Sequence, residues 1–565
     1  MLGILARSAL AVVFVPSAYI LFGFVYRYYK RSLRFLRGPP SPSLLFGNEY
    51  ELMHQEEVGI LENKWFNEYG TAFRTSSCYG EDTLVIAGDD APLSFSIIQM
   101  GADYVSDPRA IQYVFHTSSY RFPKSIDSQQ ITKMLFGRGI VWAEGETHNR
   151  QRKALNPAFS ASQLRQFLDL FQRSTSRLAK KWKQEELADT LDSGKVINVT
   201  HWLPRITLDV IGESAFNYDF GALDGRANEL GEIFKHMFAD SRLYPQKPLI
   251  LWRAFRRSIP VSLGNFLCRF PTKEEKRFKE FSNASKKIAK SVFDTASQGT
   301  NGEEDLKGSK DVLSVLLRSN LNADPKKALD EDEVLSQMAT IILAGHETTA
   351  STTTWILYEL GKSLKDQSRV YEEIREMRDR IGVDGEPTAS DYDSMPFFNA
   401  VIKEGLRLHP IVPALLRQAA SEDVIPLEFP VISKSGEEMS QIPISKGQRV
   451  SVSISVYNRL TQVWGKDANE WNPERFFDET KKDTTLGVYA NLMTFSAGVR
   501  ACIGWRFALM ELQAILFGLL ENFEFSPGPE GLDDIQRVPA GLMIPMKKGH
   551  WQDGIQMPLR VRVRN

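Results

Sequence analysis

Hydrophobic and polar positions divide this chain into stretches of distinct rhythm. Ser8 to Tyr26 carries no charged side chain and is rich in Val, Phe, Leu and Ala. Its 19 residues rise roughly 28 Å as a helix, about the hydrocarbon thickness of a bilayer. Arg27, Lys30, Arg31, Arg34 and Arg37 follow it and only Arg7 precedes it, an asymmetry that places the downstream chain in the cytosol. The competing reading is a cleaved signal peptide. The long apolar run, the charge after it and the want of a small-x-small cleavage site count against that. Pro16 inside the span can kink it. Gly38-Pro39-Pro40-Ser41-Pro42-Ser43 follows, stiffened toward an extended form, as a linker or a rigid hinge. From 70 to 115 the pattern is at first rich in strands and turns, with Thr83 to Ala87 as a strand. Asp107-Pro108 then opens a helix, with a capping aspartate and a proline at its first position. Residues 160 to 240 keep a helical period. Ser297 to Lys310 is polar and glycine-containing, a solvated loop. A long apolar helix runs from about Asp332 to Lys362, and another follows Cys502 from Ile503 to Leu512.

Composition narrows the class. The 565 residues are 42% hydrophobic and 25% charged with a net charge of -1, an ordinary globular balance in which nothing marks a nucleic-acid binder. One large helical domain accounts for most of that length, and no internal repeat or second domain stands out. The three cysteines, Cys78, Cys268 and Cys502, lack CxxC spacing. That argues against a disulfide scaffold or a zinc site and suits a reducing compartment.

Four stretches carry candidate chemistry. The first is Phe495-Ser496-Ala497-Gly498-Val499-Arg500-Ala501-Cys502-Ile503-Gly504. Its small residues let the backbone approach something flat. A cysteine just before a helix start meets exposed N–H groups and the positive dipole end, which favour a thiolate, and Arg500 adds a cation. A thiolate is a soft ligand suited to iron, although a lone cysteine is more often a small buried hydrophobe. The second is Ile341-Ile342-Leu343-Ala344-Gly345-His346-Glu347-Thr348-Thr349-Ala350. Glycine and a threonine run sit badly in a helix centre, and threonine hydroxyls that bond back one turn bend it. The bland alternative is a threonine-rich packing face. The third is Glu404-Gly405-Leu406-Arg407, with Trp471-Asn472-Pro473-Glu474-Arg475-Phe476 further on; Glu and Arg at i, i+3 share a face and alone read as a surface salt bridge. The fourth is His148 to Arg152, spaced i, i+4.

In this order the four stretches resemble the cytochrome P-450 family over about residues 38 to 560. Phe-x-x-Gly-x-Arg-x-Cys-x-Gly matches its haem-binding signature, and Ala-Gly-x-Glu-Thr-Thr its oxygen-activation motif. The resemblance implies a mainly α fold with a small β region, preceded here by the transmembrane helix. It divides the chain into an anchor with its basic flank (1–37) and a catalytic domain (38–565) hinged at 38–43. It implies haem b as cofactor, with Cys502 as axial iron ligand. Phe495, Arg500, Arg152, His148, Arg417, Ala344 and Gly345 would be cofactor-binding. His148 departs from the tryptophan usual at its position, yet keeps an N–H donor. Glu347 and Thr348 would be the catalytic acid–alcohol pair that relays protons during oxygen activation. Glu404, Arg407 and Arg475 would form a buried structural triad.

The implied activity is a monooxygenase that inserts one atom of O₂ into a lipophilic small molecule. The implied electron donor is an NADPH–cytochrome P-450 reductase, with cytochrome b5 as an optional second donor; Arg150, Lys153 and Arg506 would offer that partner positive charge. The implied site is the endoplasmic reticulum membrane, single-pass, with the catalytic domain cytosolic and no nucleic-acid partner. Substrate-contacting segments would be a loop around Ser119 to Val141, the region near Phe234 to Leu251, Ile411 to Leu416, and Gly541 to Met546. Phe136, Val412, Leu542 and Met543 are their apolar candidates, with Leu343 on the long helix as another. A reductase-independent peroxygenase or isomerase, a non-enzymatic haem protein, and a helical interaction protein without haem remain as alternatives; Glu347-Thr348 counts against the first two.

Overall fold

The computed structural model describes residues 33–564 except 56, 58–59, 81, 87–106, 191–192, 227–229, 231–232, 234–244, 260–270, 299–309, 322–323, 383–384, 479–485 and 540–541. The expected membrane span, Cys268, Gly541, most of the polar 297–310 stretch and much of the 234–251 segment lie outside those residues. Among the described residues no helix is long and apolar enough to cross a membrane.

Helices dominate, with a small mixed sheet at the N-terminal side. Strands β1 (Phe73–Ser76) and β2 (Asp82–Ile86) pair antiparallel, Thr75 opposite Thr83. Helix α1 (Pro108–Gln112) starts as its sequence dictates: Asp107 accepts the Ala110 N–H at 3.0 Å, and Pro108 occupies the first turn. Helix α2 (Ile126–Phe136) occupies a stretch expected to be a loop. Its apolar Ile131, Leu135 and Phe136 join the core, so tertiary burial organises a segment whose polar residues alone suggest a surface loop. Helices α3 (Gly145–Leu155), α4 (Leu168–Lys181) and α5 (Leu203–Phe216) follow.

The longest element is α6 (Glu331–Lys362), 32 residues. Its start is fixed by a reciprocal capping box. Asp330 accepts the Glu333 N–H at 2.8 Å, and Glu333 accepts the Asp330 N–H at 3.1 Å, which satisfies two otherwise orphaned donors. Helix α7 (Pro396–Leu408) packs on it where Gly405 meets Ile356; a Cβ there would stand 2.3 Å from Ile356 Cγ1. Strands β3 (Ala414–Gln418) and β4 (Arg449–Ser453) complete the sheet, in the order β1-β2-β4-β3, with β2 and β4 parallel. Helix α8 (Trp505–Asn522) begins just past Cys502 and lies against α4, Phe507 edge-on to Phe171 at 5.0 Å. The hairpin β5 (Ile535–Pro539) and β6 (Met543–Lys547) closes the body.

One feature departs from the expected division at 37/38. Leu33 and Leu36 are fully buried beside Ala72 and Ala110, and Leu36 bridges to Ser433. The Arg74 N–H donates to the Arg37 carbonyl at 2.9 Å. The end of the basic flank therefore packs on the β region, because its leucines bury apolar surface there.

Candidate active site

The segment that delivers Cys502 is held from below by buried charge. Glu404 and Arg407 have no exposed surface. Arg407 Nε donates to Glu404 Oε2 at 2.7 Å and Nη2 to Oε1 at 2.8 Å. Arg475 Nε reaches the same Oε1 at 3.0 Å, and the Asn472 N–H at 2.8 Å. Arg407 also donates to the carbonyls of Asn458, Ala468 and Glu470. Asn458 passes this order on. Its Nδ2 donates to Thr494 Oγ1 at 2.8 Å, Thr494 donates to the Leu406 carbonyl at 2.7 Å, and the Met493 N–H returns to Asn458 Oδ1 at 3.0 Å. The residues that enter the cysteine loop are thus tied to α7.

Within the loop, Gly498 has φ +64°. A Cβ there would lie 1.9 Å from the Phe115 carbonyl oxygen, so glycine serves a crossing of two chain segments as well as a left-handed turn. The Cys502 N–H donates to the Phe495 carbonyl at 2.8 Å, and Arg152 Nη1 to the Ala501 carbonyl at 2.7 Å. Phe495 is buried against Tyr489.

Cys502 lies deep in the protein yet is exposed rather than packed, which means that it faces an internal void. Burial pushes its thiol pKa up, against the Gly504 N–H and Arg152. The Gly504 N–H at the helix start and Arg152 pull toward the thiolate, and burial opposes them. Direct coordination to a metal deprotonates a thiol regardless.

On α6, burial breaks at one position. Leu343 is buried in the packed core, and the next residue, Ala344, is exposed although its helix crosses the interior. At Gly345 a Cβ would come within 2.4 Å of Ile211 Cδ1, so this glycine admits α5. Thr348 Oγ1 donates to the Ala344 carbonyl at 2.7 Å, and Thr207 Oγ1 donates to the His346 carbonyl at 3.0 Å. Glu347 is half-buried and 3.3 Å from His346 Nε2. Burial raises the Glu347 carboxyl to about 7 and lowers His346 to about 3. A neutral histidine beside a carboxyl poised near neutral pH suits proton exchange.

A second group of charges was only partly legible in the sequence. Arg500 donates to the Ser119 carbonyl at 2.8 Å and pairs with Glu144. Lys124, which the motifs did not mark, lies 3.4 Å from Glu144. Against burial, Lys124 and Arg500 hold Glu144 below its ordinary pKa. Burial, with help from the neighbouring Arg500, lowers Lys124 to about 8 and Arg417 to about 9. His148 is buried, not on an exposed helix face, with Nδ1 3.3 Å from Tyr120 Oη. Burial, Lys124 and Arg500 lower it to about 4. Lys124, Arg417 and Arg500 thus face one carboxylate, Glu144, among the described residues, while Arg152 feels Cys502 and Tyr120. Buried cations in such excess need anionic partners, and the two propionates of haem b answer that need. An open cysteine and surplus buried cations both fit the cofactor.

Arg150, expected at a docking surface, is committed elsewhere. It donates to both Glu333 oxygens, at 3.0 and 2.5 Å, and to the Ala328 carbonyl. Glu511 was overlooked in the sequence. It is fully buried on α8, neither oxygen meets a donor with hydrogen-bond geometry, and burial raises it to about 8 against a smaller opposing pull from Thr349.

Comparison with known proteins agrees with this geometry. The cytochrome P-450 family model matches residues 93–552. Cytochrome P-450 monooxygenase 128 of Postia placenta is 35% identical over 542 residues, covering 94% of this chain and 93% of the relative. Cytochrome P-450 monooxygenases claP and claQ of Ampulloclitocybe clavipes are 31% and 32% identical, each over 93% of this chain and 92% of the relative. The chain belongs to the cytochrome P-450 family of haem-thiolate monooxygenases, oxidoreductases that incorporate molecular oxygen with haem b as their cofactor.

Proposed function

We propose that this chain is a membrane-anchored monooxygenase that inserts one atom of O₂ into a lipophilic small molecule with electrons from a separate NADPH-dependent reductase. The observation that carries the reading is the Glu347-Thr348 pair on α6, one turn past the exposed Ala344. When bound, haem b supplies the oxygen-activating chemistry. Cys502 holds its iron, and Arg152, Arg417, Arg500 and Lys124 neutralise its propionates, with His148 beside them. Glu347 stores a proton near neutral pH. Thr348 Oγ1 donates to the Ala344 carbonyl and keeps its lone pairs free to accept a hydrogen bond from a water that would carry the proton. Charge-free Ser8 to Tyr26 and the arginines and lysines after it support a single-pass anchor with the catalytic domain cytosolic, in the endoplasmic reticulum. Phe136, Leu343, Leu542 and Met543 share one apolar core with the partly buried Val412, which supports a lipophilic substrate. Exposed Lys153 and Arg506 remain as positive charges for the reductase, with cytochrome b5 as an alternative donor.

The test is turnover of a panel of lipophilic compounds by the haem-loaded protein, with reductase and NADPH or with peroxide alone. Product formation that needs reductase and NADPH supports the proposal. Product with peroxide and none with reductase overturns it in favour of a peroxygenase.

A further inference from the structure

A cavity of about 520 Å³ opens away from the cysteine loop, between the C-terminal half of α6, the end of α7 and strand β5. That volume falls in the range of small-molecule sites, about 300–1,000 Å³, but its wall is polar and charged.

Arg459 on this wall is only 4% exposed. Its Nη2 donates to the Leu408 carbonyl at 2.5 Å, and its Nε has no partner. Among the described residues no carboxylate lies within salt-bridge distance of its guanidinium. Arg407 and Arg475, two buried neighbours in sequence space, spend their donors on Glu404, Asp467 and carbonyls. Arginine does not escape by losing its proton; Glu359 and Glu404 act on Arg459 only from beyond salt-bridge distance, and a buried cation without a directly bonded counter-ion is costly. Two more polar groups of the same wall are unpartnered. Trp355 stacks on His409 with ring centroids 4.6 Å apart, and neither Trp355 Nε1 nor His409 Nδ1 has a hydrogen-bond partner. His409 Nε2 lies 2.7 Å from Glu359 Oε1. Glu359 is held below its ordinary pKa and His409 is lowered to about 4, so Nε2–H donates to the carboxylate and Nδ1 is left as an acceptor.

The remaining charges decide which anion suits Arg459. Arg537 pairs with Glu57 at 3.2 Å, Asp366 accepts from Ser363 Oγ at 2.7 Å and Trp471 Nε1 at 2.9 Å, and Lys362 lies over Tyr358. Lys362, Arg459 and Arg537 stand against Glu57, Glu359, Asp366 and Glu470, so the wall carries one net negative charge with His409 neutral. A multiply charged anion is repelled. A single carboxylate can pair with Arg459, while hydroxyl groups donate to Glu359 and to the outer carboxylates.

We propose that this cavity binds a polyhydroxylated monocarboxylate of sugar-acid size, with its carboxylate on Arg459 and its hydroxyls toward Glu359 and Asp366. Neither Cys502 nor any other residue of 495–504 lines this cavity.

The experiment is calorimetric titration of the full-length, haem-loaded protein with gluconate, against glucose and inorganic phosphate at matched ionic strength. Gluconate is expected to saturate, and glucose and phosphate to compete at least about tenfold more weakly. Arg459→Gln should weaken gluconate by about tenfold or more. Asn469→Trp, which fills the cavity without touching the guanidinium, should do the same and keep the haem spectrum; it decides the matter if Arg459→Gln fails to fold. No saturation by gluconate overturns the proposal. So does phosphate binding as tightly as gluconate, or unchanged affinity in folded Asn469→Trp.

Discussion

Replacing Arg407 by alanine removes two of the four donors that surround the Glu404 carboxylate and strips the Asn458, Ala468 and Glu470 carbonyls of their shared partner. Both side chains are wholly buried, so water cannot step in. Breaking a buried pair from one side costs about 3–5 kcal/mol, against a total stability of about 5–15 kcal/mol for a folded domain. That is a factor of about 10² to 5 × 10³ in the ratio of folded to unfolded protein. The loss is directed, because Asn458 links this cluster to Met493 and Thr494 at the entry to the cysteine loop. Arg407→Ala should therefore yield protein with little haem per polypeptide and a lowered denaturant midpoint. Arg407→Lys keeps the charge but loses the fork that engages both Glu404 oxygens, and should fall between. Haem content by absorbance ratio and unfolding by circular dichroism measure both. Wild-type haem content and midpoint in Arg407→Ala would refute the structural role of the triad.

Three further outcomes follow from single groups. Thr348→Ala should keep haem binding but lower product formed per NADPH oxidised, with hydrogen peroxide released instead; general acid–base assistance is worth about 10²–10⁴-fold, and unchanged coupling would remove Thr348 from the relay. Glu511 is raised from 4.5 to about 8, so above pH 4.5 the unfolded chain has lost a proton that the folded protein keeps. Stability from this group is thus full at low pH and lost as pH rises toward 8; between pH 6 and 8 the loss is about 2 kcal/mol, and Glu511→Gln should flatten that slope in urea unfolding. Gly498→Ala, at φ +64° and against the Phe115 carbonyl, should reduce haem retention more than Gly504→Ala, whose added Cβ would meet only Phe159 at 3.8 Å; equal retention would show that the crossing at Phe115 tolerates a side chain.

The residues legible in the sequence are those whose chemistry is local. Asp107 with Pro108, the Glu404–Arg407 spacing and the run from Phe495 to Gly504 each lie within one turn or loop, so their spacing carries their geometry. What escaped depends on partners far along the chain. Lys124 matters because Glu144 and Arg500 meet it, Gly345 because Ile211 approaches it, and Gly498 because Phe115 crosses behind it. Helix α2 was hidden because its few apolar side chains are organised by the core they join. Arg150 looked free until Glu333, on α6, claimed it.

The central claim is that the Cys502 thiolate holds the haem iron, and the carbon monoxide difference spectrum of the reduced protein tests it most directly. Wild-type protein should show the long-wavelength Soret band of thiolate ligation. Cys502→Ser should lose that band, because serine is a harder and far less acidic ligand. The same band in Cys502→Ser, or its absence from haem-loaded wild type, would contradict the assignment.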